Sequence, residues 1–327
     1  MTWQTQSALV LGAAGFCGAH LCDQLVQRGA KVIGFDKSLS PDSWLHSSGT
    51  IFQIHWEDGD ILDFANLKLL LARTPVDTVF LLAAQPIVSI SNQLPLETAH
   101  TNIIGTYNVL EAIRTLSKPP NLVFASSGAY YGATDTKSAI TEDEAALVAS
   151  NIYAPTKAAA DLAVRCYARI YDLPAASCRW MNTYGPGDTN FSRIIPATMK
   201  RLNAGKSGLI DGTDGTNVLE MLHVRDMIEA YLAVAENLHR AEVRGQAFNF
   251  GGGAPLELRH IVREAARAWN EVNGTTIPIA PEITGAKVDS VKYLDISKAR
   301  NVLGWQPRIS LSDGLRETAR WYGDFLG

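Results

Sequence analysis

Three groups of residues in the 327-residue chain have the types and spacing to do chemistry. The first is Gly12-Ala13-Ala14-Gly15-Phe16-Cys17-Gly18. Glycines at this spacing let the backbone approach a phosphate with no side chain in the way, and they permit positive φ. Where such a turn opens a helix, the free N–H groups of the helix N-terminus seat the anion. The second is Asp36, close to the spacing at which an acid meets a ribose 2′-hydroxyl. The third is Tyr153-Ala154-Pro155-Thr156-Lys157, with Ser127 upstream. Four residues apart on a helix, an ammonium stands beside a phenol. With a cationic nicotinamide nearby, that pairing lowers the tyrosine pKa from its usual ~10. The phenolate then takes a proton from a sugar hydroxyl while hydride leaves the same carbon.

Each group needs an element to hold it. Ser7 to Leu11 reads as a buried parallel strand, and Phe16 to Arg28 as a helix that stops at Gly29, so the glycines occupy a strand-to-helix turn. Val32 to Phe35 is a second strand ending at Asp36, and Lys37 to Thr50 a loop. Further strands are expected at Ile51–Trp56, Asp77–Leu82, Asn121–Ala125 and Phe248–Phe250, with helices at Phe64–Arg73, about Leu96–Leu116, Ile195–Asn203, His223–Leu238 and Glu257–Trp269. Pro155 is tolerated only in a first turn, which starts the helix that runs to about Tyr171 near Tyr153. Short apolar strands alternating with amphipathic helices predict an α/β fold, a doubly wound parallel sheet of Rossmann type. In such sheets ligands bind beyond the carboxyl ends of the strands. Gly12 to Gly18, Asp36, Asp60, Ala83 to Gln85 and Ser127 all follow strand ends. A lone glycine turn, or a lone Tyr-x-x-x-Lys, is common by chance; their joint placement in one nucleotide-binding frame is not.

Composition excludes several classes. Apolar content of 46%, charged content of 19% and a net charge of −4 describe an ordinary globular protein without a nucleic-acid footprint. No stretch has the length and apolarity of a membrane span, and the first residues lack a basic signal-peptide region. The four cysteines, Cys17, Cys22, Cys166 and Cys178, make no metal-ligand pattern and predict free thiols in a reducing cytoplasm. The seven histidines show no ligand spacing, so no metal is expected. Ala204-Gly205-Lys206-Ser207 fails as a phosphate loop, because the required earlier glycine falls at Lys200.

Taken together, Gly12-x-x-Gly15-x-x-Gly18, Asp36, Asp60-Ile61, Ala83-Ala84-Gln85, Ser127 and Tyr153-x-x-x-Lys157 resemble the extended short-chain dehydrogenase/reductases, in their nucleotide-sugar epimerase/dehydratase branch. The likeness continues through Arg179 to Gly187, Leu222 to Asp226, Asp295 to Ala299 and Leu303 to Pro307, so it covers nearly the whole chain. It implies a Rossmann-like NAD-binding domain at 1–180 and 217–247. A smaller, interleaved domain for the nucleotide sugar falls at 181–216 and 248–327. Gly12, Gly15, Phe16, Cys17 and Gly18 would cradle the NAD pyrophosphate. Asp36, with Lys37 beside it, would hold the adenosine ribose, and Asp60 and Ile61 the adenine. Ala83, Ala84, Gln85 and Asn102 would line the cofactor, and Tyr153 and Lys157 would also bind it, Lys157 at the nicotinamide ribose. The same resemblance makes Ser127, Tyr153 and Lys157 the catalytic set. It puts Gln85, Ser127, Gly128, Ala129, Asn182, Asn190, Arg193 and Ile195 near the substrate. Lys292 has the reach for a substrate phosphate, against the plainer reading of a solvated lysine.

Departures from the family pattern narrow the reaction. Dehydratases place an Asp-Glu pair just after the catalytic Ser/Thr; here Gly128 and Ala129 stand there, and neither transfers a proton. A phosphate-binding arginine of many relatives is replaced by Leu219, with Arg193 as a substitute cation. Lys37 tolerates a 2′-phosphate, whereas Asp36 repels one, so NAD is expected, with NADP the open alternative. The resulting expectation is an NAD-dependent epimerase of a nucleotide-activated hexose, at C4 through a transient 4-keto sugar. A 4-ketoreductase is the enzymatic alternative, with a dehydratase or decarboxylase behind it; a cofactor-sensing protein is the non-enzymatic one. Dimerisation through the helices at Leu96–Leu116 and Tyr153–Tyr171 is implied by the same resemblance. Trp305 is expected to be core.

Overall fold

The computed structural model describes residues 2–132, 138–144, 149, 151–288 and 290–327. Ser7–Leu11 forms β1, buried along almost its whole length, as a central parallel strand requires. It is followed by α1 (Phe16–Gln27), β2 (Lys31–Asp36), α2 (Trp44–Ser47), β3 (His55–Asp58), α3 (Phe64–Arg73) and β4 (Thr78–Leu81). Next come α4 (Val88–Gln93), α5 (Pro95–Ala99), a π-turn over His100–Ile104, α6 (Gly105–Arg114), β5 (Asn121–Ala125), α7 (Tyr153–Tyr171) and β6 (Ala175–Arg179). The chain then forms β7 (Asn182–Tyr184), α8 (Ile194–Asn203), β8 (Leu209–Ile210), β9 (Val218–Leu219), β10 (Met221–His223) and α9 (Val224–Asn237). It ends with β11 (Ala247–Asn249), β12 (Leu256–Glu257), α10 (Leu258–Asn273), β13 (Glu282–Ile283), β14 (Val291–Lys292) and α11 (Leu311–Leu326).

Seven strands build one parallel sheet in the order β11-β6-β5-β4-β1-β2-β3. Leu11 at the end of β1 is level with Phe35 on one side and Leu81 on the other. The chain builds outward from β1 to β3, then returns to start the other half at β4. The crevice between the ends of β1 and β4 is therefore the switch point at which such sheets bind ligands. One apolar layer, with Leu21, Leu25, Met227 and Tyr231, covers one face through α1 and α9. A second, with Leu67, Leu71, Val109 and Val164, covers the other through α3, α6 and α7. This is the doubly wound architecture expected from the sequence.

A smaller lobe packs α8, α10 and α11 around Met199, Ile261, Trp269, Leu315 and Tyr322. It carries the short sheets β12-β9-β14 and β13-β8.

The helix expected at about Leu96–Leu116 runs without a gap from Pro95 to Arg114 as α5, the π-turn and α6, with helical backbone at both junctions. Three expectations are corrected. The strand at Ile51–Trp56 starts only at His55; Thr50–Gln53 is a 3-10 turn that sends Ile51 and Ile54 to the core and leaves Phe52 at the surface. The loop at Lys37–Thr50 contains α2, whose Trp44 ring stacks on His20. Finally, a boundary at 247/248 cuts β11, which pairs with β6 in the large sheet, so Phe248 and Asn249 stay with that sheet. Trp305 is core, with its indole N–H donating to the Asp226 carbonyl at 3.1 Å.

Candidate active site

The glycine turn is shaped by two close approaches. Gly12 has φ +93°, and a Cβ there would lie 2.5 Å from the Ala83 nitrogen; a Cβ at Gly18 would lie 2.0 Å from the Gly12 carbonyl oxygen. Neither position accepts a side chain. Gly15 differs, since its Cβ would meet only the Gly12 oxygen, at 3.4 Å. As N-cap of α1 it offers the helix N–H groups no side chain, so they face the cleft free to receive an anion. Asp36 braces this turn: its Oδ2 accepts from the Ala14 N–H at 2.9 Å, and its Oδ1 from the Lys37 N–H at 2.8 Å. Burial raises the Asp36 pKa against those two hydrogen bonds. The Lys37 ammonium pairs with Asp60 Oδ2 at 2.8 Å.

The turn opens into a cleft of about 1350 Å³ that runs along the strand ends to the smaller lobe. Gly15, Phe16, Cys17, Asp36, Asp60 and Ile61 line it around the glycine turn and the ends of β2 and β3. Ala83, Ala84, Gln85, Ser127, Tyr153 and Lys157 line its middle. Gly128, Ala129, Asn182, Asn190, Arg193, Ile195 and Lys292 line it toward the lobe. Of the residues proposed from sequence, Asn102 alone does not line it.

Asn102 instead holds the cleft together. The π-turn places it inside, where its Oδ1 accepts from the Gln85 N–H at 2.8 Å and its Nδ2 donates to the Gln85 carbonyl at 3.1 Å. That Nδ2 also donates to Thr156 Oγ1 at 2.9 Å, and the Thr156 hydroxyl donates to the Tyr153 carbonyl at 2.7 Å. Asn102 thus ties the loop after β4 to the first turn of α7. No local sequence signal announces Thr156 as a partner. Gln85 is also less available than expected, because its side-chain amide is engaged by Ile87 and Thr98.

Ser127 and Tyr153 line the same cleft, and the Ser127 Oγ accepts from the Ala129 N–H at 3.1 Å. Burial raises the Tyr153 pKa; the Ser127 side chain and the Arg193 charge oppose that rise. The lowering expected from Lys157 is not what the protein groups produce: the Lys157 ammonium donates to the Ala125 carbonyl at 2.6 Å and lies 4.4 Å from the Phe124 ring centroid. Burial lowers the Lys157 pKa to about 7, with the Asp161 charge opposing. The Cys17 thiol is pushed up to about 12 by burial and stays neutral.

Toward the lobe, a Cβ at Gly128 would lie 2.4 Å from Met181 Sδ, so Met181 already occupies the space an acid there would need. Arg193 is paired with Asp188 at 3.0 Å, and is therefore not a spare cation. Asn182 Nδ2 donates to the Glu220 carbonyl at 3.2 Å, and Asn190 Oδ1 accepts from Ser192. Lys292 is level with Leu219 on the neighbouring strand β9. Among the described residues no His, Cys, Asp and Glu cluster could hold a metal, and no helix is long and apolar enough to cross a membrane.

A family model described as GDP-mannose 4,6 dehydratase matches residues 9–318. The chain belongs to this family, the nucleotide-sugar epimerases and dehydratases of the extended short-chain dehydrogenase/reductases. A UDP-glucose 4-epimerase of Mycolicibacterium smegmatis is 31% identical over 96% of this chain and 97% of that protein. A trifunctional UDP-glucose 4,6-dehydratase/UDP-4-keto-6-deoxy-D-glucose 3,5-epimerase/UDP-4-keto-L-rhamnose-reductase of Arabidopsis thaliana is 30% identical over 98% of this chain. The chain spans about half, 48%, of that plant protein's length. Among solved structures, UDP-glucuronic acid 4-epimerase of Bacillus cereus, in complex with UDP-glucuronic acid and NAD, superposes with a TM-score of 0.81 at 25% identity, covering 98% of this chain and 99% of that one. Ser127, Tyr153 and Lys157 line the cleft together, and Gly128 and Ala129 follow Ser127 along its wall.

Proposed function

We propose that this member of the family is an NAD-dependent epimerase that inverts C4 of a nucleotide-activated hexose through a transient 4-keto sugar. One observation carries the reading: Ser127, Tyr153 and Lys157 line one cleft together with an anion-accepting glycine turn, and Gly128 and Ala129, which transfer no proton, follow Ser127. The turn fits the cofactor, with Gly15 leaving a cradle that a larger side chain would fill. Gly12, Gly15, Phe16, Cys17 and Gly18 hold the pyrophosphate, Asp36 the ribose, and Asp60 and Ile61 the adenine. Bound there, NAD would supply the hydride acceptor and donor that inversion at the sugar carbon requires. Tyr153 Oη takes the C4 hydroxyl proton and gives it back, and Ser127 Oγ orients that oxygen. Lys157, anchored on the Ala125 carbonyl, holds the nicotinamide ribose. With Lys37 engaged by Asp60 and a carboxylate at Asp36, NAD is preferred to NADP.

The substrate diphosphate is received near Asn182 and Lys292, and the base near Asn190 and Ile195. The UDP-sugar relatives make a UDP-hexose the first substrate to try. Residues 1–180 and 217–249 form the dinucleotide-binding part, and 181–216 with 250–327 the sugar-nucleotide part. Exposed Ile104, Tyr107, Leu162, Ile170 and Tyr171 on the π-turn, α6 and α7 support a homodimer contact. Four free thiols among the described residues support a reducing, cytoplasmic setting.

The test is to incubate NAD-loaded protein with UDP-glucose, UDP-glucuronate and the GDP-, CDP- and dTDP-hexoses, following C4 configuration by NMR. Inversion of one of them is expected, and inversion of none overturns the reading. Stoichiometric loss of NAD(P)H absorbance with a 4-keto sugar nucleotide would instead identify a ketoreductase.

A further inference from the structure

Arg179, the last residue of β6, is fully buried and lines no part of the cleft. Its guanidinium nevertheless touches both elements that carry the reacting side chains. On one side, Nε and Nη2 donate to the two oxygens of Asp161 at 3.0 and 2.7 Å. Asp161 is on α7, one turn beyond Lys157 and two beyond Tyr153, and is itself fully buried. On the other side, the guanidinium lies 3.5 Å from the Tyr130 ring centroid, and Nη1 donates to the Tyr131 hydroxyl at 2.9 Å. Tyr130 and Tyr131 belong to the single turn that Ser127 caps. The Tyr131 hydroxyl in turn donates to Asn249 Oδ1 at 2.6 Å, which fixes that turn to β11.

Such a bidentate fork is rigid, and a buried ion pair of this kind is costly to break on one side only. Replacing both partners with apolar residues can leave stability unchanged, so stability alone is a weak account of it. Arg179 also leads directly into Trp180, Met181 and Asn182, which line the cleft, with Met181 packed on Gly128. The charged groups around the pair are Arg165 on α7, whose Nε donates to Asp161 Oδ1 at 2.9 Å, Lys157 on α7, and Glu142 and Lys298 on the segments beside β11 and Phe248.

We propose that Arg179, through Asp161 and the Tyr130–Tyr131 turn, is a positioning residue that holds Ser127 and the Tyr153–Lys157 face of α7 in register. This rests on the epimerase reading for its kinetic consequence. Asp161 adds an electrostatic one: its carboxylate is the charge that opposes the loss of the Lys157 proton.

Two conservative variants and one direct titration test it. Arg179→Lys keeps the charge and loses the fork; Tyr131→Phe removes one hydroxyl and little volume. Expected are falls in kcat of roughly 10- to 100-fold for Arg179→Lys and roughly 3- to 10-fold for Tyr131→Phe, with KM for the sugar nucleotide within about twofold. In 15N-lysine-labelled protein, Asp161→Asn is expected to move the Lys157 titration to lower pH. A kcat unchanged in both variants, with melting temperature alone reduced, overturns the proposal and leaves Arg179 a structural residue. A Lys157 titration unmoved in folded Asp161→Asn overturns the electrostatic part. If the wild-type protein inverts no sugar, the epimerase reading fails, and the titration still decides whether Asp161 governs Lys157.

Discussion

The Lys157 ammonium donates to the carbonyl oxygen of Ala125 at 2.6 Å, so the helix bearing Tyr153 is pinned to the last residue of the strand that leads to Ser127. Lysine and tyrosine share a helix face, as their spacing requires, but the ammonium is committed to a backbone carbonyl rather than to the phenol. The Tyr153 proton is therefore governed first by burial and by Ser127. Tyr153→Phe is expected to lower kcat by roughly 10²- to 10⁴-fold, the usual worth of a positioned acid/base. NAD affinity measured by calorimetry should stay close to wild type, because the glycine turn, Asp36 and Lys157 are left intact. Full activity in the variant would remove Tyr153 from the reaction.

The three glycines of the turn should behave differently. Gly18→Ala places a methyl 2.0 Å from the Gly12 carbonyl oxygen and should unfold the turn, with a large loss of melting temperature. Gly15→Ala meets nothing closer than 3.4 Å and should fold normally while binding NAD at least tenfold more weakly. Equal melting temperatures for the two variants would contradict this geometry.

Asn102→Ala removes the amide that joins Gln85 to Thr156 and leaves buried partners unsatisfied, a loss of about 1–3 kcal/mol in stability by chemical denaturation. A lower kcat should accompany it, since Thr156 bears on the Tyr153 carbonyl.

Acid should loosen the contact between α1 and the turn before α8. His20 is buried against the Pro186 carbonyl at 2.8 Å, and burial lowers its pKa from 6.5 to about 4. The unfolded chain then binds more protons than the folded one between those values, so stability rises with pH across that window and is lost as pH falls through it. The full effect of His20 is about 3 kcal/mol. His223, lowered to about 3, extends the same trend to lower pH. Melting temperature recorded from pH 7 to 4 should fall less steeply in His20→Phe than in wild type.

Leu162 and Ile170 are 53% and 62% exposed on α7, which is unusual for large aliphatics on a helix otherwise packed into the core. Light scattering at micromolar concentration should give a dimer for the wild type and a monomer for the Leu162→Glu/Ile170→Glu variant. A monomeric wild type would remove the dimer proposal.

The alternation of aliphatic strands and amphipathic helices was enough to read the sheet, because burial on both faces of a parallel strand demands it. Glycine spacing, Asp36, Ser127 and the Tyr153–Lys157 pair were legible for a related reason: each depends on a local turn or on one helical repeat. Gly128 and Ala129 were legible as an absence of proton-transferring groups, and the structure adds that Met181 fills the space beside them. Illegible were the π-turn at His100–Ile104 and the roles of Asn102, Asp161 and Arg179, whose partners are distant in the chain.

Local chemistry and periodicity, then, determined the fold class and the set of groups in the cleft. Only the tertiary structure decided which of those groups are already engaged: Lys37 by Asp60, Arg193 by Asp188, Gln85 by Ile87 and Thr98, and Lys157 by Ala125. Propensity acts over a few residues, whereas a hydrogen bond or ion pair is settled by which distant segments packing brings within about 3 Å.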